Sequence, residues 1–121
     1  LLDALRADGW TLGVATGKAQ RGLDHCLAVH GLGGHFATLQ TADYHPSKPH
    51  PSMIEQALAD TLALADDAVM IGDTQYDIQM VVNAGVRGIG VDWGYHTSGE
   101  LIAAGAAAVA TSPAHLKDLL A

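Results

Sequence analysis

The chain has one cysteine, Cys26, among its 121 residues. A single thiol builds neither an internal disulfide nor a cysteine-based zinc site, and a reducing, cytoplasmic compartment is the expectation. Positive charge is scarce as well: six Lys and Arg stand against thirteen Asp and Glu, a net charge of −7. That balance argues against a broad nucleic-acid surface and against binding to an anionic membrane, because both need a basic face. It does not exclude a small phosphorylated substrate, which a local positive site can hold. Long apolar runs are missing too, and none approaches the ~18 residues of a membrane-spanning helix. Asp3, Arg6 and Asp8 break up the N-terminal stretch, which does not read as a signal peptide. Seven histidines are present, but none forms an i, i+4 pair on an expected helix. A histidine metal site is therefore not expected.

What the chain does have is a hydrophobic content of 49%, enough for one domain with a real core. Helical patterns are expected over residues 1–8, 19–30, 52–62, 77–85 and 99–104, and again after Ser112-Pro113. Short apolar runs at 11–15, 37–41, 69–71, 88–91 and 107–110 read as strands. Helix and strand thus alternate along the whole chain, which predicts an α/β domain with a mostly parallel sheet covered on both faces. The first helical pattern has no cap before Leu1, so the chain is expected to be an excerpt of something longer.

One stretch organises the rest: Val69-Met70-Ile71-Gly72-Asp73-Thr74-Gln75-Tyr76-Asp77. Its apolar run reads as a strand buried on both faces. Gly72 permits a sharp turn at the strand's end. Asp73 is then placed at the carboxyl end of a parallel strand, where open sheets bind ligands. Asp77 opens a helical pattern with Ile78, Val81 and Val82 inward, ending at Gly85. Two carboxylates on one strand-to-helix turn suit a hard cation such as Mg²⁺. The plainer alternative is a turn followed by a helix N-cap at Asp77.

Two other segments add to this. Val14-Ala15 runs into Thr16-Gly17-Lys18, and a hydroxyl and a glycine amide at a strand's end can face an oxyanion. Lys48 lies in the loop Tyr44-His45-Pro46-Ser47-Lys48-Pro49-His50-Pro51, where Pro46 and Pro49 restrict the backbone around it. Thr16, Lys48, Asp73 and Asp77 together offer a phosphate cradle, a fixed positive charge and a metal site. Phosphoryl transfer needs those parts, because positioning and electrostatics stabilise its transition state.

The order and spacing resemble the haloacid-dehalogenase-like (HAD) hydrolases, in particular the phosphoglycolate-phosphatase-like branch. Thr16 matches the family's second motif. Lys48-Pro49-His50-Pro51 matches the third, and Gly72-Asp73-Thr74-Gln75-Tyr76-Asp77 the fourth. The stretch Gly90-Val91-Asp92-Trp93-Gly94-Tyr95 also looks like that branch. The resemblance covers nearly the whole chain and implies a Rossmann-like three-layer α/β/α fold. It implies a Mg²⁺-dependent phosphatase acting on a small phosphorylated metabolite, phosphoglycolate-like, through an aspartyl-phosphate. Asp73 and Asp77 would hold the metal, Thr16 and Gly17 the phosphate oxygens, and Lys48 would neutralise charge on the nucleophile and phosphoryl group. Lys18, Thr74 and Tyr76 are not assigned direct roles.

The family's first motif, Asp-x-Asp, does not occur in the chain. It is expected before Leu1, followed by a helical cap domain. The chain would then be a single partial core domain, inactive alone, with the central strand absent. Strands 11–15 and 69–71 should lie about two strand spacings apart, roughly 9–10 Å, with Val14 and Met70 not on neighbouring hydrogen-bonded strands. Two rival readings remain: a non-catalytic HAD-like binding protein, and a phospho-accepting receiver module. Receivers place their acidic residues before the hydroxyl, the reverse of the order here. The substrate and the oligomeric state are not legible.

Overall fold

In a computed structural model, residues 2–93 and 97–120 are described. Helices α1 (Leu2–Ala7), α2 (Gln20–Val29), α3 (Ser52–Thr61), α4 (Gln75–Asn83), α5 (Ser98–Ala104) and α6 (Pro113–Leu120) alternate with strands β1 (Gly13–Ala15), β2 (Thr38–Gln40), β3 (Val69–Gly72), β4 (Arg87–Val91) and β5 (Ala108–Ala110). A short 3₁₀ turn, Ala65–Asp67, precedes β3. Elements fall where the hydrophobic pattern places them, within one or two residues at most ends, because local capping signals stop them. Gly9, Gly31 and Gly105 end helices with positive φ. Gly85 does the same after the α4 C-cap at Ala84, with φ of 74°. Thr97 and Glu100 form the capping box that their spacing predicts. The Lys48–Pro49 peptide is cis.

All strand pairs among the described residues are parallel, but they form two sheets: β1 with β2, and β3-β4-β5. Val14 pairs with Leu39 and Met70 with Gly88. Val14 and Met70 are therefore not hydrogen-bonded neighbours. An apolar cavity of about 770 Å³ is lined from one side by Leu12 and Val14 and from the other by Val69, Met70 and Ile71.

The layers follow from strand alternation. On one face, Met53 and Ile54 of α3 pack with Met80 and Val81 of α4 and with Val86, against Ala15 and Met70. One core thus touches both sheets. Gly88 faces α4 and Gly90 faces α5, and a Cβ there would meet Val81 or Leu101, respectively, at 2.8 Å. On the other face, Ile89, Val91 and Ala110 pack with Leu116 of α6. The result is the three-layer α/β/α arrangement.

Two packing expectations are corrected. The β3 segment is not buried on both faces: Ile71 is 37% exposed, because the flank of β3 toward β1 opens on the cavity. On α4, Val82 is 49% exposed and Met80 is fully buried. The sheet meets α4 on the stripe through Ile78, Met80 and Val81, a choice that helical periodicity alone does not fix. Among the described residues, no helix is long and apolar enough to cross a membrane. Gly94, Tyr95 and His96, and with them the end of the stretch beginning at Gly90, lie outside the described residues.

Candidate active site

The carboxyl ends of β1 and β3 meet around a cavity of about 450 Å³. Gly17, Lys48, Asp73 and Asp77 line it, from three separate parts of the chain. The fourth motif builds its side of the cavity by a local device. Thr74 is the N-cap of α4, and its hydroxyl accepts from the Asp77 amide at 3.2 Å. The Asp77 carboxylate turns back to accept from the Thr74 amide at 3.4 Å. This capping box leaves Asp77 buried, facing the end of β3. Gly72 makes that approach possible. A Cβ at Gly72 would stand 2.5 Å from the Asp77 Cβ.

Lys48 joins the two halves of the site. Its ammonium donates to Asp77 Oδ1 and, at 3.3 Å, to the carbonyl oxygen of Ala15 at the end of β1. The lysine side chain is 20% exposed and that of Asp77 8%. A partly buried ion pair of this kind is screened less by salt than a surface pair and is held in place by its neighbours. The loop carrying Lys48 is fixed on several sides. Asn83, the last residue of α4, donates to the Pro49 carbonyl at 3.1 Å. Asp43 accepts from the Gln20 amide at 2.7 Å, and Ala42 donates to the Lys18 carbonyl at 3.2 Å. These last contacts also anchor the Thr16–Gly17 turn to the segment after β2.

Thr16 ends β1 as expected, its amide bonded to the Gln40 carbonyl at 3.0 Å. Its hydroxyl accepts from the Lys18 amide at 3.2 Å, tightening the turn over Gly17. Gly17 borders the cavity, whereas Thr16 is not among its lining residues. Thr74 and Tyr76 do line it, together with Ser47 and Met53. The spacing of Thr74 and Asp77 carries the same capping signal as Thr97 and Glu100, so Thr74 could have been read from sequence. Met53 had no such signal, since its place depends on how α3 docks.

The plain reading of Asp77 as a helix N-cap is replaced by its place at the third helical position, with Thr74 as the cap. As a donor set for a cation, Asp73 and Asp77 fit Mg²⁺, which takes one or two carboxylates and completes its shell with water and phosphate oxygens. Asp77 also engages Lys48 and the Thr74 amide, so it serves the lysine as well as any bound cation. No cluster of three or more His, Cys, Asp or Glu that could hold a metal occurs among the described residues.

A family model described as haloacid dehalogenase-like hydrolase matches residues 1–91. The chain is 41% identical over 105 residues to "Probable phosphatase IndB" of Dickeya dadantii, covering 85% of this chain and 45% of that protein. It is 27% identical over 121 residues to a phosphoglycolate phosphatase of Vibrio parahaemolyticus, covering 99% of this chain and 53% of the relative. The crystal structure of a predicted phosphatase from Clostridium acetobutylicum superposes with a TM-score of 0.87 at 30% identity. That match covers 99% of this chain and 57% of the other. The chain therefore spans about half the length of the curated relatives it matches. By the family model, the relatives and the shared fold, it belongs to the haloacid dehalogenase-like hydrolases.

Proposed function

We propose that this chain supplies the phosphate-, lysine- and metal-binding part of a Mg²⁺-dependent phosphomonoester hydrolase. Its substrate is a small phosphorylated metabolite of the phosphoglycolate type. One observation carries the reading: Lys48 spans the carboxyl ends of β1 and β3, reaching both Ala15 and Asp77. A fixed positive charge thus sits where a phosphoryl group entering between the two sheets would arrive.

The nucleophilic carboxylate belongs on a strand filling the cavity between β1 and β3, in a segment expected before Leu1. Its carboxylate attacks phosphorus, the ester P–O bond breaks, and the leaving alkoxide takes a proton from the second Asp of the expected Asp-x-Asp motif, acting as general acid. Water then cleaves the acyl phosphate. Thr16 and Gly17 bind phosphate oxygens at the end of β1. Lys48 neutralises charge on the phosphoryl group, and Asp77 keeps the ammonium in place. Asp73 and Asp77 would hold the metal, Asp73 directly and Asp77 directly or through water. Bound Mg²⁺ would supply charge neutralisation at the phosphate.

In the intact protein, Asp73→Asn should abolish Mg²⁺-dependent hydrolysis of an aryl phosphate while the circular-dichroism spectrum and melting temperature stay near wild type. Unchanged hydrolysis by this variant would overturn the metal assignment.

A further inference from the structure

Lys48 lies in a loop that two imidazoles close onto one serine. His45 Nδ1 lies 2.6 Å from the Ser52 hydroxyl, and the Ser52 amide donates to His50 Nδ1 at 3.1 Å. The His50 amide donates to the Ser47 carbonyl at 3.1 Å, which tightens the turn inside this closure. The second nitrogen of His45 continues inward, with Nε2 2.7 Å from Gln40 Oε1. Gln40 is buried in β2, and its amide nitrogen donates to Asp60 Oδ2 at 2.8 Å and Thr38 Oγ1 at 2.9 Å. Thr38 also donates to Asp60 Oδ2 at 3.0 Å, and Gln56 to Oδ1 at 2.8 Å.

Donor and acceptor roles along this chain are forced from its far end. Asp60 is held ionised: the Gln56 amide first, then the Thr38 hydroxyl, keep its carboxyl below the usual carboxylate range. A carboxylate only accepts, so Gln40 must turn its NH₂ toward Asp60. Its oxygen then faces His45, and His45 Nε2 must carry the proton. Nδ1 then faces the Ser52 hydroxyl, which closes the other end of the clasp. Each member has its partner, and such networks specify geometry more strongly than their pairwise energies suggest. The loop is thereby tied to β2, and through Ser52 to the first turn of α3.

We infer that His45 is a positioning residue, which clasps the loop between β2 and Ser52 and so holds the Lys48 ammonium at the ends of β1 and β3. Its kinetic consequence rests on the phosphatase reading above. His45 touches neither the cavity nor Lys48 in the contacts described. It acts through the loop backbone, and displacing that backbone by about an ångström is enough to cost up to ~10²-fold in rate.

The test uses the intact protein and has two arms. In the first, amide hydrogen exchange is followed in wild type and His45→Ala. Exchange at His50 and Ser52 should rise severalfold, with α4 and β4 unchanged. Unaltered protection at both amides would overturn the clasp, whatever the enzyme's activity. In the second, hydrolysis of an aryl phosphate is measured for His45→Ala, Lys48→Ala and the double variant. His45→Ala should lower kcat by roughly 10- to 100-fold with KM little changed. In the Lys48→Ala background the same substitution should cost less than about twofold, because coupled residues are not additive. His45→Gln, which keeps a donor and an acceptor at the end of the side chain, should recover part of the rate. Equal losses in both backgrounds would overturn positioning through Lys48 and leave only a structural role. An inactive wild type with raised exchange in His45→Ala would sink the phosphatase reading and support the clasp.

Discussion

At the level of single residues, the site depends on which of two nearby lysines the fold selects. Lys18 and Lys48 both follow a strand in sequence, but Lys48 alone of the two pairs with Asp77. Lys48→Ala should cut turnover by on the order of 10²-fold, since it removes a preorganised charge and leaves a buried carboxylate unpaired. Lys18→Ala should cost far less, and steady-state kinetics of the two variants in the intact protein separate the roles. Equal losses would make the choice of lysine wrong. Gly72 is the second sensitive residue. In Gly72→Ala the new Cβ meets the Asp77 Cβ, an atom that cannot swing aside as a flexible chain end can. The backbone must shift, at a cost of about 1–3 kcal/mol. Urea unfolding should show that loss, with a fall in activity as Asp77 is displaced. A stability equal to wild type would mean the turn has more room than the structure shows.

Among elements, α4 and α5 offer a matched comparison. Both start with a threonine N-cap in a capping box. Thr74→Ala and Thr97→Ala should each lower stability by about 1 kcal/mol, the usual worth of such a cap. Only Thr74→Ala should also reduce phosphatase turnover, because its helix start aims Asp77 at Lys48. Equal activity in the two variants would detach the capping box from the site. These helix ends were legible because a cap is decided by residues within one turn of one another. Asp77 was legible as part of a motif but not as Lys48's partner, which lies 29 positions away in the chain. The buried stripe of α4 was not legible either, since Met80 and Val82 both fit a helical pattern and docking buried Met80 where Val82 was expected.

For the molecule as a whole, the two sheets share a core but, among the described residues, no backbone pairing, and no described strand lies between the edges facing the cavity. Unpaired edges cost free energy when dry and invite association when wet. The 121-residue chain expressed alone should therefore hydrolyse no aryl phosphate, and on size-exclusion chromatography with light scattering it should self-associate. Adding a segment that carries an Asp-x-Asp strand should yield a monodisperse, more stable species. A stable monomer of this chain with phosphatase turnover would refute the argument.

The sequence by itself determined the alternation of elements, the glycine and threonine stops, the parallel α/β class and the family. Each of these is set by a short-range pattern: periodicity, a cap, or a motif of a few residues. Only the tertiary structure decided that Lys48 bridges Ala15 and Asp77, that Gly17 borders the cavity while the Thr16 hydroxyl accepts from the Lys18 amide, and that His45 contacts both Gln40 and Ser52. Most of those facts are distances between groups well separated in the chain. Helix docking and strand order fix such distances, and no local pattern carries them.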